Sequence, residues 1–181
     1  MMRRMGGIES GRSQSLMVTV ASLTEEVAEL LAREAYYLDR RMWAEWLALY
    51  ADDAIYWVPA LAGEDGFTSD PDNEVSLIYL DRNGLESRVF RIEGGDSMAT
   101  EPLPLTAHLV TNVLVHRAEG GAIEASATWT THAFWRRRGA IVRGGLYDYT
   151  LRRERDGLRI VRKVVKLMDD RIVGPIDVYN I

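Results

Sequence analysis

Apolar residues recur at helical spacing near the start of the chain and change to alternation in its second half. Val27, Leu30, Leu31, Glu34 and Leu38 mark one mostly apolar helical face, and Ser22-x-x-Glu25 ahead of it matches a capping box. A second helix is expected over 40–50, with Met42, Trp46 and Leu49 inward, joined to the first at Asp39. The strand-forming run Ala54-Ile-Tyr-Trp-Val58 then stops at Pro59, and residues 60–73 read as loop. Residues 74–80 suit a strand or an approach to the next helix. Leu85, Val89 and Ile92 predict that third short helix, closed by Gly94-Gly95. Four long strands follow, at about 104–117, 122–137, 141–154 and 157–168. They are separated by Glu119-Gly120-Gly121, Arg138-Gly139 and Arg155-Asp156-Gly157, all suited to hairpins. No proline falls between Pro104 and Pro175, as strands inside a sheet require. Gly144-Gly145 within the third strand predicts a bulge or a close backbone approach. Helices followed by an antiparallel meander define an α+β fold, here a strongly curved sheet folded over N-terminal helices.

A chain of 181 residues supports one sizeable core, so we expect a single domain over 21–181. Residues 1–20 read as a disordered N-terminal extension without the apolar stretch of a secretory signal, and Met17 is an alternative start. No apolar run approaches the roughly 20 residues that cross a bilayer. The net charge of −5 gives no reason to expect a nucleic-acid or anionic-membrane partner. Arg136-Arg137-Arg138 reads as a solvated hairpin tip. The chain has no cysteine, which excludes disulfides, a thiolate nucleophile and iron–sulfur ligation by this chain. That composition fits a reducing cytoplasm.

The candidate chemistry centres on the three histidines. A turn centred on Gly120 sets His108 opposite His132 on the more polar face of one hairpin, with Cβ atoms roughly 5 Å apart. His116 then lies about 27 Å from His108 along the strand, too far to share a metal. The next hairpin brings Asp148 diagonally towards His132, so that two histidines and a carboxylate would imitate a facial metal triad. Ordinary polar-face histidines explain the same pattern, and a one-residue slip would part the pair. On this register Ala107, Leu109, Val113 and Val115 share the apolar face of the first strand. Asp52-Asp53 closes the second helix; a loop-facing pair bonded to backbone amides is the simpler reading, a buried base the sharper one. No nucleophile elbow or phosphate loop is present. Five tryptophans and eight tyrosines exceed what one small core needs, so part of the aromatic surface is expected to line a cavity or, in preference, a subunit interface.

Several segments resemble the small (β) subunits of aromatic-ring-hydroxylating dioxygenases. They are Arg41-Met-Trp-Ala-Glu-Trp-Leu-Ala-Leu-Tyr-Ala-Asp-Asp53, Tyr56-Trp-Val-Pro59 and Asp81-Arg-Asn-Gly-Leu-Glu-Ser-Arg-Val-Phe-Arg-Ile92. His108-Leu-Val-Thr-Asn-Val113, Gly157-Leu-Arg-Ile-Val-Arg-Lys163 and Asp169-Asp170-Arg171 follow in family order. The ending Asp177-Val-Tyr-Asn-Ile181 looks most like the branch acting on benzoate-type acids. In one departure, Leu105 stands where many relatives carry arginine. The resemblance implies a cone-shaped barrel similar to nuclear transport factor 2. It implies a trimer of small subunits supporting three large (α) subunits in a hexamer, fed with electrons from NADH by a reductase, directly or through a ferredoxin. It places the Rieske [2Fe-2S] cluster and the mononuclear Fe(II) in the large subunit and neither in this chain. The small subunit would then assemble and stabilise the oxygenase and carry no catalytic residue. The alternative is a stand-alone dehydratase or isomerase of the same fold, with His108, His132 and Asp53 as acid–base candidates and Tyr56 as hydrogen-bond donor. A free-standing module that binds aromatic compounds is the remaining possibility.

Overall fold

The computed structural model describes residues 9–63, 66–94 and 102–181. Three helices, α1 (Glu9–Arg40), α2 (Trp43–Ala48) and α3 (Arg82–Gly94), accompany a six-stranded sheet. Its strands are β1 (Tyr50–Pro59), β4 (Ser76–Asp81), β5 (Leu105–Glu119), β6 (Ala122–Trp135), β7 (Gly139–Glu154) and β8 (Gly157–Leu167), in the order β4-β1-β8-β7-β6-β5. Two short strands, β2 (Leu61–Ala62) and β3 (Gly66–Phe67), form a separate ribbon in the loop after β1. The sheet is mixed where an antiparallel one was expected, because β1 runs parallel to β8. That pairing joins the first strand to the last, and the chain between them supplies the crossover. Among the described residues no helix is long and apolar enough to cross a membrane.

Val27, Leu30, Leu31 and Leu38 bury the predicted stripe of α1 in the core. The helix does not start at the Ser22 capping box, however: its backbone already turns at Glu9. The expectation for residues 1–8 lies outside the described residues. The junction between α1 and α2 falls at Arg41, which takes a left-handed φ of 57°. There Met42 N–H reaches Tyr37 O at 2.8 Å and Arg41 N–H reaches Leu38 O at 3.1 Å, the bond pair of a Schellman ending with arginine where glycine is usual. The Arg41 guanidinium then donates to Pro104 O at 3.2 Å, so the residue that ends the helix also holds the entry to β5.

The four long strands fall within a few residues of their expected limits. Gly120 and Gly121 both have positive φ, as a two-residue hairpin turn demands. At Gly145 the backbones of β7 and β8 approach so closely that a Cβ would sit 1.9 Å from Lys166 O, which explains the glycine inside a strand.

Most of the aromatic surplus goes to the core, while Tyr36, Tyr79 and Phe134 stay exposed. All five tryptophans are buried within the chain, as are Tyr50, Tyr56, Tyr147, Tyr149 and Tyr179. Trp129 stacks on Tyr147 at 5.1 Å, and Trp46 meets Tyr50 edge-on at 5.1 Å. The helices supply a second wall, so the inner face of the sheet has more volume to fill than the strand pattern suggested. The closing segment adds to it: Asp177 to Ile181 are all buried. Arg143 holds that segment by donating to Val173 O at 2.5 Å and Pro175 O at 3.1 Å.

Candidate functional site

The predicted histidine pair does not form. In β5–β6 the register sets Ala107 opposite His132 and His108 opposite Thr131. Two irregularities in β5, at Thr111/Leu114 and Val115/Arg117, each add a residue to that strand, and Asn112 adopts a φ of 53° at the first. The shift carries Thr106, His108 and Val110 to the inner side and leaves Ala107 and Leu109 exposed, reversing the faces assigned to them. His132 stays on the outer face, exposed, while the His108 side chain is only 2% exposed. Asp148 is equally far from the expected place. It pairs with Ser126, about 20 Å along β6 from His132, and binds Lys166 Nζ at 2.6 Å. Among the described residues no group of three or more His, Asp or Glu side chains is placed to hold a metal.

The remaining candidates also lie apart. Asp53 is exposed and takes both guanidinium nitrogens of Arg152 at 2.9 Å, which hold its carboxyl below the usual range. Tyr56 is buried on the inner face, and its hydroxyl has no partner among the described residues. His108 instead finds a partner that sequence reasoning missed: Asp39, near the end of α1. Its Nδ1 lies 2.6 Å from Asp39 Oδ1, and its backbone N–H donates to Asp39 Oδ2 at 3.0 Å. Burial raises the Asp39 carboxyl, but the His108 bonds outweigh it and hold the group below its ordinary value. Asp39→Asn is therefore expected to lower stability by about 1–2 kcal/mol at neutral pH, by loss of charge-assisted bonds. Because the folded value is depressed, the wild-type advantage is present above the unfolded carboxylate range and shrinks as pH falls through the folded value. Urea unfolding of both proteins at pH 7 and at about pH 3.5 checks this.

The most concentrated polar chemistry lies at the centre of the core. Glu34, from the apolar stripe of α1, accepts from Tyr50 Oη at 2.5 Å, Tyr149 Oη at 2.8 Å and Lys163 Nζ at 2.9 Å. Both members of the ion pair are buried, with side chains 3% and 1% exposed. The ammonium sits 4.0 Å from the Tyr147 ring centroid and 5.6 Å from those of Tyr56 and Tyr149. Burial pushes the Glu34 carboxyl up, yet the Lys163 charge and the three donors prevail and keep it below the usual range. Burial likewise draws the Lys163 amine down, opposed by Glu34. The signal was present in the sequence: an acid inside an apolar helical stripe needs a buried partner.

The outer face of the sheet has a different character. Leu105 and Phe134 are Cα partners, and Ala107, His132 and Val142 form the next row across β5, β6 and β7. Leu105, Leu109, Phe134 and Val142 are each about half exposed or more. Four large apolar side chains around one exposed histidine form a contiguous patch of the kind that marks an interaction surface. Further along the same face, between the sheet and the loop after β1, a polar groove of about 660 Å³ is lined by Trp57, Thr68, His116, Asp148, Arg162 and Lys166 among others. Of its two carboxylates, Asp148 is bound by Lys166 and Glu124 accepts from Thr150, while Arg162 lies over Trp57.

Residues 33–173 match the family described as the ring hydroxylating beta subunit. The chain is 38% identical over 158 residues to the benzoate 1,2-dioxygenase subunit beta of Acinetobacter baylyi, covering 87% of this chain and 93% of that one. The solved β subunit of the benzoate 1,2-dioxygenase from Burkholderia mallei superposes with a TM-score of 0.70 at 33% identity, over 86% of this chain and 95% of that one. An NTF2-like protein with a cystatin-like fold from Novosphingobium aromaticivorans, 19% identical, gives a TM-score of 0.61 over 93% of this chain and 94% of that one, a likeness of fold alone.

Proposed function

The chain belongs to the family of ring-hydroxylating beta subunits, and from that membership we propose how it serves an aromatic-ring-hydroxylating dioxygenase. It is the small subunit of the oxygenase component, and it builds that component by docking its outer sheet face against neighbouring subunits. The observation that carries the docking is the half-exposed cluster of Leu105, Leu109, Phe134 and Val142 around His132. Because each is already about half buried, covering them would recover roughly 1 kcal/mol apiece.

The finer reading is a trimer of small subunits under three large subunits, with residues 21–181 as one domain and the sheet wrapped into a cone around α1. The Rieske cluster and the mononuclear iron belong to the large subunit. This chain has no cysteine, and a Rieske centre needs two cysteines with two histidines, so its residues do not fit the cluster. Electrons from NADH arrive through a reductase, and the assembled enzyme adds dioxygen to an aromatic ring in the cytoplasm. The benzoate dioxygenase relatives support an aromatic acid as substrate. The small subunit acts on that reaction indirectly, by holding the large subunits in place.

The rival acid–base enzyme rests on one observation, the Asp39–His108 pair, whose Nε2 is buried without a partner among the described residues. Co-expression with the genomic neighbours separates the two readings. The expected product is a large mixed oligomer whose iron and acid-labile sulfide belong to the larger chain. A lone small oligomer with no partner and no iron would overturn the subunit reading, and turnover by this chain alone would establish the rival.

A further inference from the structure

The buried lysine has a use that subunit docking does not explain. Lys163 pairs across the sheet with Tyr56 on β1 and with Tyr149 on β7, so the three residues form one row on the inner face. Tyr147 stands two residues from Tyr149 on the same face, and its ring meets the ammonium at 4.0 Å. Glu34 closes the remaining side from α1 at 2.9 Å. Rings and a carboxylate therefore surround a single cation, as they do in sites that recognise organic ammonium ions.

The walls are held independently of that cation. Tyr50 and Tyr149 each donate a hydroxyl to Glu34, one to each carboxylate oxygen, so the carboxylate is aimed without help from Lys163. The Tyr147 ring is fixed by stacking on Trp129 at an interplanar angle of 5°. The Tyr56 hydroxyl binds nothing among the described residues, so a hydrogen bond does not place that ring; packing does, with its face 5.6 Å from Lys163 Nζ.

We infer that the core of this protein is a preformed binding site for a small primary alkylammonium ion, filled in the native chain by its own Lys163 side chain. The site selects for charge through the rings and Glu34, and against a quaternary ammonium through the N–H that Glu34 accepts. It fills the inner face with a tethered ligand, and it is separate from the outer face that docks neighbours.

Removing the tether tests this. Lys163→Ala retains Cβ and deletes three methylenes and the ammonium, the atoms of n-propylammonium. The full-length variant is expected to melt well below wild type. Millimolar n-propylammonium should raise its midpoint by about 3 °C or more, while wild type, already filled, should not respond. At equal ionic strength, 1-propanol and tetramethylammonium should give no comparable rise, the first lacking charge and the second lacking an N–H. Glu34→Gln in the same background should abolish the rescue. If Lys163→Ala does not fold alone, refolding from urea with and without n-propylammonium reads the same binding as recovered folded protein. An equal response to the alcohol and the amine, or no response in either format, overturns the inference.

Discussion

Glu34→Gln is expected to destabilise the protein by about 3–5 kcal/mol at neutral pH, the usual consequence of removing one partner from a buried ion pair. The substitution keeps the shape of the side chain and one of the two acceptor oxygens, so one tyrosine hydroxyl must turn to accept from the new amide. The larger loss is the charge opposite Lys163, whose side chain is 1% exposed. The ammonium is then left among aromatic rings, which compensate only part of its lost hydration. A second substitution separates this explanation from a packing defect. Lys163→Met in the Glu34→Gln background removes the orphaned charge, so the double variant should recover at least half of the loss. A simple packing defect would instead make the two losses add.

The pH dependence supplies an independent check with a definite sign. The folded Glu34 carboxyl is held below its ordinary value by Lys163 and the two tyrosine hydroxyls. Its contribution is therefore fully present above the unfolded carboxylate range, near pH 4.3, and is lost as pH falls through the folded value. The gap between wild type and Glu34→Gln should narrow in acid. On the alkaline side both proteins should gain stability as pH rises, the variant more steeply, because burial depresses the Lys163 amine and Glu34 is no longer there to oppose it. Chemical unfolding at pH 3.5, 7 and 9.5 measures both limbs. A gap that does not change with pH would refute the ion-pair account.

The order of the elements was legible because each rests on a local cue. Val27 to Leu38 repeat at helical spacing, and glycines sit at every hairpin tip from Gly120 to Gly157. The parallel pairing of β1 with β8 was not legible, since no local cue reports which distant strand lies alongside. The histidines failed for a narrower reason. Alternation along β5 is broken twice by extra residues, and a bulge leaves no clear mark when it falls at Asn112 and not at glycine. A single register therefore could not describe the hairpin, and His108 and His132 were placed on one face when they occupy two. The tryptophans were misjudged because the strand pattern alone cannot reveal how much space a helical layer leaves. Glu34 and Lys163 are the opposite case. Each breaks an apolar run on its own element, and two such breaks of opposite charge predict one another.

Phe134→Asp should abolish assembly while leaving the isolated subunit folded. Phe134 is 47% exposed on the outer face, so the chain itself loses only the buried half of the ring, about 1 kcal/mol. The complex loses much more. Phe134 lies directly across from Leu105, and the next row carries His132 between Ala107 and Val142. A carboxylate placed there must be dehydrated when the patch is covered, and no lysine or arginine of this chain stands in those two rows to receive it. The lost aromatic contact and the buried charge act in the same direction, so affinity for neighbouring subunits should fall by at least roughly 100-fold. Light scattering of the co-expressed proteins, alongside urea unfolding of the small subunit alone, gives the two readings together. A small subunit that unfolds cooperatively with only that small loss of stability, but elutes without partners, is the expected result. A variant that still assembles fully would move the interface off this face, and one that unfolds early would make Phe134 part of the fold itself. Because Glu34 acts inside the chain and the proposed docking face between chains, the two substitutions should have opposite phenotypes: one lowers the stability of the subunit, the other its capacity to join neighbours.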